Sequence, residues 1–219
     1  MKSRDKSEII SRMTAIGIIP VVRAVSTDMA RRAVAAILKG GISILEITMT
    51  VPGAVRMIEA LSAEIGQDAI IGAGTVLDAQ TAQACIDAGA QFVVSPALNL
   101  ETIALCGQRG IVVMPGALTP TEVVTAWTAG ADFVKVFPAG AVGGASYIKA
   151  LKAPLPQVRI VPTGGVSLQT AASFIKAGAE ALGVGGDLVD VEALRDGRDE
   201  LITERARLFV EIVERARTT

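Results

Sequence analysis

A short apolar run, a helical stretch and a closing glycine recur along this chain about every 20 to 25 residues, a rhythm that few folds accommodate. Lys39-Gly40-Gly41 precedes Ile42 to Thr48, Asp87-Ala88-Gly89-Ala90 precedes Gln91 to Pro96, and Arg109-Gly110 precedes Ile111 to Pro115. Ala129-Gly130-Ala131 precedes Asp132 to Phe137, and Ala177-Gly178-Ala179 precedes Ala181 to Val184. Glycine tolerates the left-handed backbone in which helices commonly end, so each glycine marks the close of a helix before a strand. The runs between are short and rich in Val and Ile, as parallel strands buried on both faces must be. Ile18 to Arg23, Ala69 to Gly74 and Val158 to Pro162 complete eight strand–helix units. Eight such units close a single (β/α)8 barrel of the TIM type, an α/β fold, and 219 residues suffice for one. A doubly wound open sheet competes, but no Gly-x-Gly-x-x-Gly opens the first helix. A charged amphipathic helix is expected from Glu200 to Arg217. With no linker or low-complexity tract, residues 1–219 are expected to form one domain.

Composition narrows the chemistry. Hydrophobic residues make up 51% of the chain and aromatics only 3%, with 21 basic against 22 acidic residues. That balance supports a large core and offers neither a basic stripe nor stacking platforms for nucleic acid. The run from Ala15 to Val22 is too short to span a bilayer and is broken by Gly17 and Pro20, so a soluble, cytoplasmic protein with no membrane partner is expected. Cys85 and Cys106 fall in helical segments and read as buried free thiols. There is no histidine. Ser-His and Cys-His nucleophiles and His-based metal sites are therefore excluded, and proton transfer falls to carboxylates, lysine, tyrosine or water. Neither a metal nor a cofactor is expected.

Two charges interrupt strands that should be apolar. Lys135 sits in Phe133-Val134-Lys135-Val136-Phe137, and Glu46 in Ile44-Leu45-Glu46-Ile47-Thr48. Apolar surroundings favour the neutral amine, which is the nucleophilic form, and a nearby carboxylate can shuttle protons to an adduct. The plainer alternative is a buried ion pair that only locks two strands. The strand ends bear on the choice, because these barrels gather their active sites at the C-terminal ends of the strands. Those ends carry Arg23, Thr48, Thr75, Pro96, Pro115, Phe137 and Thr163. Arg23 offers a fork for a carboxylate, or else a rim salt bridge. Pro162-Thr163-Gly164-Gly165-Val166 and Gly183-Val184-Gly185-Gly186 follow the seventh and eighth strands, where backbone N–H groups of such barrels hold phosphate.

Taken jointly, Leu45-Glu46-Ile47-Thr48, Gly72-Ala73-Gly74-Thr75, Val94-Ser95-Pro96, Met114-Pro115-Gly116, Lys135-Val136-Phe137-Pro138 and Pro162-Thr163-Gly164-Gly165 resemble the KDPG/KHG aldolases. The resemblance runs from Ile18 to Val189 in the family's order and spacing. It implies a metal-free class I aldolase of the Entner–Doudoroff route, trimeric, acting on 2-keto-3-deoxy-6-phosphogluconate (KDPG), with 4-hydroxy-2-oxoglutarate as a further candidate substrate. By the same resemblance Lys135 is the Schiff-base lysine and Glu46 the general acid/base. Arg23, Thr75, Pro96, Phe137 and Thr163, with Thr48 beside them, become substrate-binding candidates. Gly164, Gly165, Gly185 and Gly186 fall at the phosphate-binding loops. The implied small-molecule partners are a 2-keto acid and pyruvate.

Two departures stand out. Some members carry an arginine where this chain has Thr50; others have threonine there and an arginine on the first strand, as Arg23 is here. The last phosphate loop often reads Gly-Ser, whereas this chain reads Gly185-Gly186-Asp187. A missing hydroxyl and an added carboxylate both disfavour an anion, unless Asp187 serves the N-terminus of the following helical turn. An aldolase for an unphosphorylated or galactonate-type 2-keto-3-deoxy acid is the alternative. A non-catalytic oligomeric scaffold barrel is a more distant one.

Overall fold

The computed structural model describes residues 4–218. A first helix, α1 (Lys6–Ile16), ends at Gly17 with φ 68° and leads into the repeating units. These begin with β1 (Ile18–Val22), α2 (Thr27–Lys39), β2 (Ile44–Thr48) and α3 (Ala54–Ile65). They continue with β3 (Ile70–Gly74), α4 (Ala79–Asp87), β4 (Phe92–Val94) and α5 (Leu100–Gln108). The fifth strand is interrupted at Pro115 into β5 (Val112–Met114) and β6 (Gly116–Ala117), followed by α6 (Pro120–Thr128). Next come β7 (Val134–Val136), a 3-10 turn at Ala139–Val142, α7 (Ala145–Lys152), β8 (Ile160–Pro162) and α8 (Ala171–Lys176). The chain finishes with β9 (Leu182–Val184), α9 (Val191–Arg195) and α10 (Asp199–Thr218).

The strand order β5-β4-β3-β2-β1-β9 joins the order β6-β7-β8 through the shared fifth strand. A parallel bridge between Thr163 and Gly183 closes the ring between β8 and β9. With β5 and β6 as pieces of one strand, this is the eight-stranded parallel barrel that the glycine rhythm implies. Every strand residue is buried, which explains the unbroken Val and Ile runs. The helix-ending glycines adopt the left-handed conformation: Gly41, Gly89, Gly110, Gly130 and Gly178 have φ between 65° and 99°.

Helices start where a short polar side chain takes a free N–H. Ser26 accepts from Met29 N, Asp78 from Thr81 N and Asn99 from Thr102 N. Thr119 and Glu122 form a reciprocal capping box behind Pro120. Two differences from the sequence reading have local causes. The strand expected over Ile111 to Pro115 is interrupted at Pro115, which has no N–H for the ladder. Helix α1 before β1 and the short helix α9 between β9 and α10 lie outside the expected strand–helix units; Asp190 caps α9 through Ala193 N at 3.0 Å. Cys85 and Cys106 are free and buried, and burial pushes both thiols up to about 11. No helix among the described residues is long and apolar enough to cross a membrane.

Candidate active site

Around the ring, β2 and β7 stand on opposite sides, so their inward side chains meet near the barrel axis. Glu46 and Lys135 do so, with Lys135 Nζ 4.0 Å from Glu46 Oε1. The two residues are only 2% and 3% exposed. Yet Glu46 Oε1 has no hydrogen-bond partner among the described residues. A pair that merely locked two strands would be expected to close to hydrogen-bond distance, since a bare buried oxygen is unfavourable. Burial drives the Glu46 carboxyl above the ordinary carboxylate range, and the charges of Lys135 and then Arg23 pull it only partly back. The Phe137 ring lies next to the amine, its centroid 5.4 Å from Nζ.

Strand glycines make this arrangement sterically possible. A methyl group on Gly74 would overlap Glu46 Oε1, and one on Gly72 would overlap the Phe92 ring. At Gly183 it would strike Thr163 Oγ1, and at Gly116 the backbone of Pro96. In sequence, Gly72-Ala73-Gly74 stands out as a motif without a steric role for its glycines. The signal was present: glycine inside a strand marks close approach by another group.

A cavity of about 160 Å³ opens at the C-terminal end of the strands. Arg23, Phe137, Thr163, Gly164, Gly165, Gly185, Gly186 and Asp187 line it, with Val21 and Val166 between them. Arg23, Phe137, Thr163 and all four candidate glycines are thus brought together. The Arg23 guanidinium is exposed and makes no hydrogen bond or ion pair among the described residues. Gly164 and Gly165 hold φ 84° and 78°, and Gly165 packs so close to Gly140 that a side chain has no room. Gly185 and Gly186 face open space.

Thr48, Thr75 and Pro96 stand outside this cavity's lining. Thr48 is buried, donates its hydroxyl proton to Val22 O at 3.0 Å and lies 2.6 Å from Thr50 Oγ1. Its proton therefore braces β1 against β2. Thr75, just past β3, is the one non-glycine residue with positive φ (58°) among those described, a strain of the kind that gathers at functional sites. Asp187 does not take the helix-terminus role considered for it. Residues 186–188 form a turn, and Asp190, three residues on, caps α9. The Asp187 carboxylate is exposed at the cavity and has no hydrogen-bond partner among the described residues.

A closed parallel barrel with an opposed amine and carboxylate in its interior, below a glycine-lined lip, has the equipment of a barrel lyase acting on carbonyl compounds. Residues 9–204 match the family described as KDPG and KHG aldolase, and the chain belongs to that family. It is 35% identical over 206 residues to 2-dehydro-3-deoxy-phosphogluconate aldolase of Treponema pallidum, which covers 94% of this chain and 97% of the relative. It is 38% identical over 176 residues to 2-dehydro-3-deoxy-6-phosphogalactonate aldolase of Escherichia coli, covering 80% of this chain and 85% of that one. KDPG aldolase from Legionella pneumophila, solved with pyruvate captured at low pH as a covalent carbinolamine intermediate, superposes with a TM-score of 0.83 at 30% identity. That match covers 90% of this chain and 96% of the other.

Proposed function

We propose that this chain is a class I aldolase that cleaves KDPG to pyruvate and glyceraldehyde 3-phosphate through a Schiff base on Lys135. One observation carries the reading: a buried amine lies 4.0 Å from a buried carboxylate oxygen that has no hydrogen-bond partner among the described residues. The Lys135 amine attacks the C2 ketone to give a carbinolamine. Glu46, its carboxyl raised by burial, delivers a proton to the departing hydroxyl, and water leaves. The resulting iminium draws electrons. Glu46 takes the proton from the C4 hydroxyl, the C3–C4 bond breaks and the aldehyde departs. The enamine of pyruvate is then protonated at C3, and water releases pyruvate from Lys135. Arg23 faces a substrate anion across the cavity, Phe137 and Thr163 shape its wall, and Thr75 and Pro96 approach from the neighbouring strand ends. Gly164, Gly165, Gly185 and Gly186 offer backbone N–H groups to a distal phosphate.

Borohydride reduction with pyruvate tests the reading. Peptide mass analysis should place the adduct on Lys135, and an unlabelled Lys135 would overturn the mechanism. The proposal extends to one domain over 1–219, a homotrimer, the cytoplasm and the Entner–Doudoroff route, with 4-hydroxy-2-oxoglutarate as a further substrate. Val25 and Leu77 in the loops after β1 and β3, Leu100 at the start of α5 and Val124 in α6 are exposed apolar side chains suited to self-association. Light scattering on the purified chain checks the trimer.

Asp187 favours a second reading, in which the distal group is uncharged or the acid is the galactonate epimer. Gly186 faces open space, so Gly186→Ser adds a hydroxyl without a clash. Comparing kcat/KM for KDPG, its C4 epimer and the unphosphorylated acid separates the two; strong preference for KDPG rejects the second.

A further inference from the structure

The lip Gly185–Asp187 is thinly supported for a segment that lines the cavity. A methyl on Gly185 or Gly186 would meet nothing within 4 Å, so side-chain packing does not hold its tip. From within, Leu188 N and Val189 N both donate to Gly185 O, at 3.0 and 2.9 Å, and fold the segment into a tight turn. From outside, the side chain that hydrogen-bonds to the lip, among the described residues, is that of Arg205 on α10. Its Nη1 donates to Asp187 O at 3.1 Å and to Asp190 Oδ2 at 3.1 Å. Asp190 Oδ1 in turn receives Ala193 N at 3.0 Å, which ties the far end of the turn to α9.

We propose that Arg205 is a positioning residue for the distal anion: through the Asp187 carbonyl it holds the turn whose Gly186 and Asp187 line the cavity. The reasoning is local. The Asp187 carbonyl belongs to the peptide whose N–H, on Leu188, closes the turn on Gly185 O. A cation on that carbonyl strengthens the bond on the other side of the same peptide, because hydrogen bonds in series polarise one another. Arg205 touches neither substrate nor the reacting atoms. Its side chain is partly buried and ion-paired to Asp190, so its charge is largely balanced and its contribution is one of geometry. This rests on the reading of the lip as a phosphate site.

The experiment compares parent, Arg205→Met and Arg205→Lys with the 6-phosphorylated acid and its unphosphorylated counterpart. Melting temperature and borohydride trapping of pyruvate are recorded beside the kinetics. The expected result for Arg205→Met is a KM about tenfold higher for the phosphorylated acid, with kcat within about twofold. KM for the unphosphorylated acid and the trapping of pyruvate, which has no distal group, should be unchanged. Arg205→Lys should recover part of the loss, because one ammonium can still reach the carbonyl. Equal changes with both acids, or none, would overturn the positioning role while leaving the parent's phosphate preference standing. Should Arg205→Met fail to fold, Arg205→Lys alone decides: KM must rise for the phosphorylated acid and not for the other. A parent without phosphate preference would overturn this proposal together with the phosphate reading, while Lys135 trapping would still stand.

Discussion

The two ends of the barrel treat their polar groups in opposite ways. At the N-terminal end, charged side chains are tied to the backbone that feeds the strands. Arg4 donates to Ala69 O at 3.0 Å and Gln91 Oε1 at 2.8 Å, and also to Gln67 O. Lys6 pairs with Asp132 at 2.9 Å, and the same carboxylate receives Val113 N at 2.8 Å. Arg217 holds the carbonyls of Thr14, Ala15 and Glu180 at 2.6 to 2.9 Å. At the C-terminal end, Arg23, Asp187 and Glu46 Oε1 face the interior or the cavity without such hydrogen-bond partners among the described residues. One end stabilises the ring; the other keeps groups available for a ligand. That division follows from the fold, since loops after the strands vary while the opposite end seals the barrel.

Substitutions at each end test the contrast. The largest effect is expected from Lys135→Ala, which should lower kcat for pyruvate release by at least about 10⁴-fold. Residual turnover above about one per cent of the parent would mean another nucleophile carries the chemistry. Next comes Gly74→Ala, whose methyl would overlap Glu46 Oε1 and force the carboxyl aside. It should cut kcat about 100-fold, in the range of a displaced acid–base group, while pyruvate still becomes trapped on Lys135. Full activity in Gly74→Ala would show that Glu46 need not stand where it does.

At the opposite end, Arg217→Met removes three hydrogen bonds to carbonyls. It should lower Tm by about 5 °C with kcat/KM unchanged. A loss of activity without loss of Tm would erase the contrast between the ends. The smallest effect concerns Glu46 and pH. Burial raises its folded-state pKa, so the folded protein binds more protons than the unfolded chain and stability falls as pH rises. This destabilisation is absent below the ordinary carboxylate range, near pH 4, and complete above the raised value. Glu46→Gln should therefore gain a few degrees in Tm over the parent near pH 7 and little near pH 4. A Tm difference independent of pH would indicate that the carboxyl is not raised.

Much of the barrel was legible because its signals are local. A glycine in the left-handed conformation ends a helix within one or two residues, and strands buried on both faces need unbroken Val and Ile. Lys135 and Glu46 were visible as charges in runs that should exclude them. In sequence Asp187 reads as a helix-terminus residue, and only the path of the turn makes Asp190 the cap of α9. Thr48 looked available at a strand end, yet its proton goes to Val22 O, an acceptor 26 residues away. The strand glycines lacked a stated purpose until the side chains lying over them were placed.

By itself the sequence determined the element rhythm, the family motifs and the identity of the two misplaced charges, all set within a few neighbouring residues. The tertiary structure decided that β2 and β7 face each other across a closed ring and bring Glu46 within 4.0 Å of Lys135. It also decided that this Glu46 oxygen has no hydrogen-bond partner among the described residues, and that Arg205 reaches back from α10 to the cavity lip. Those distances depend on how many strands close the ring and on which side chains leave room at its axis, which no local stretch of chain specifies.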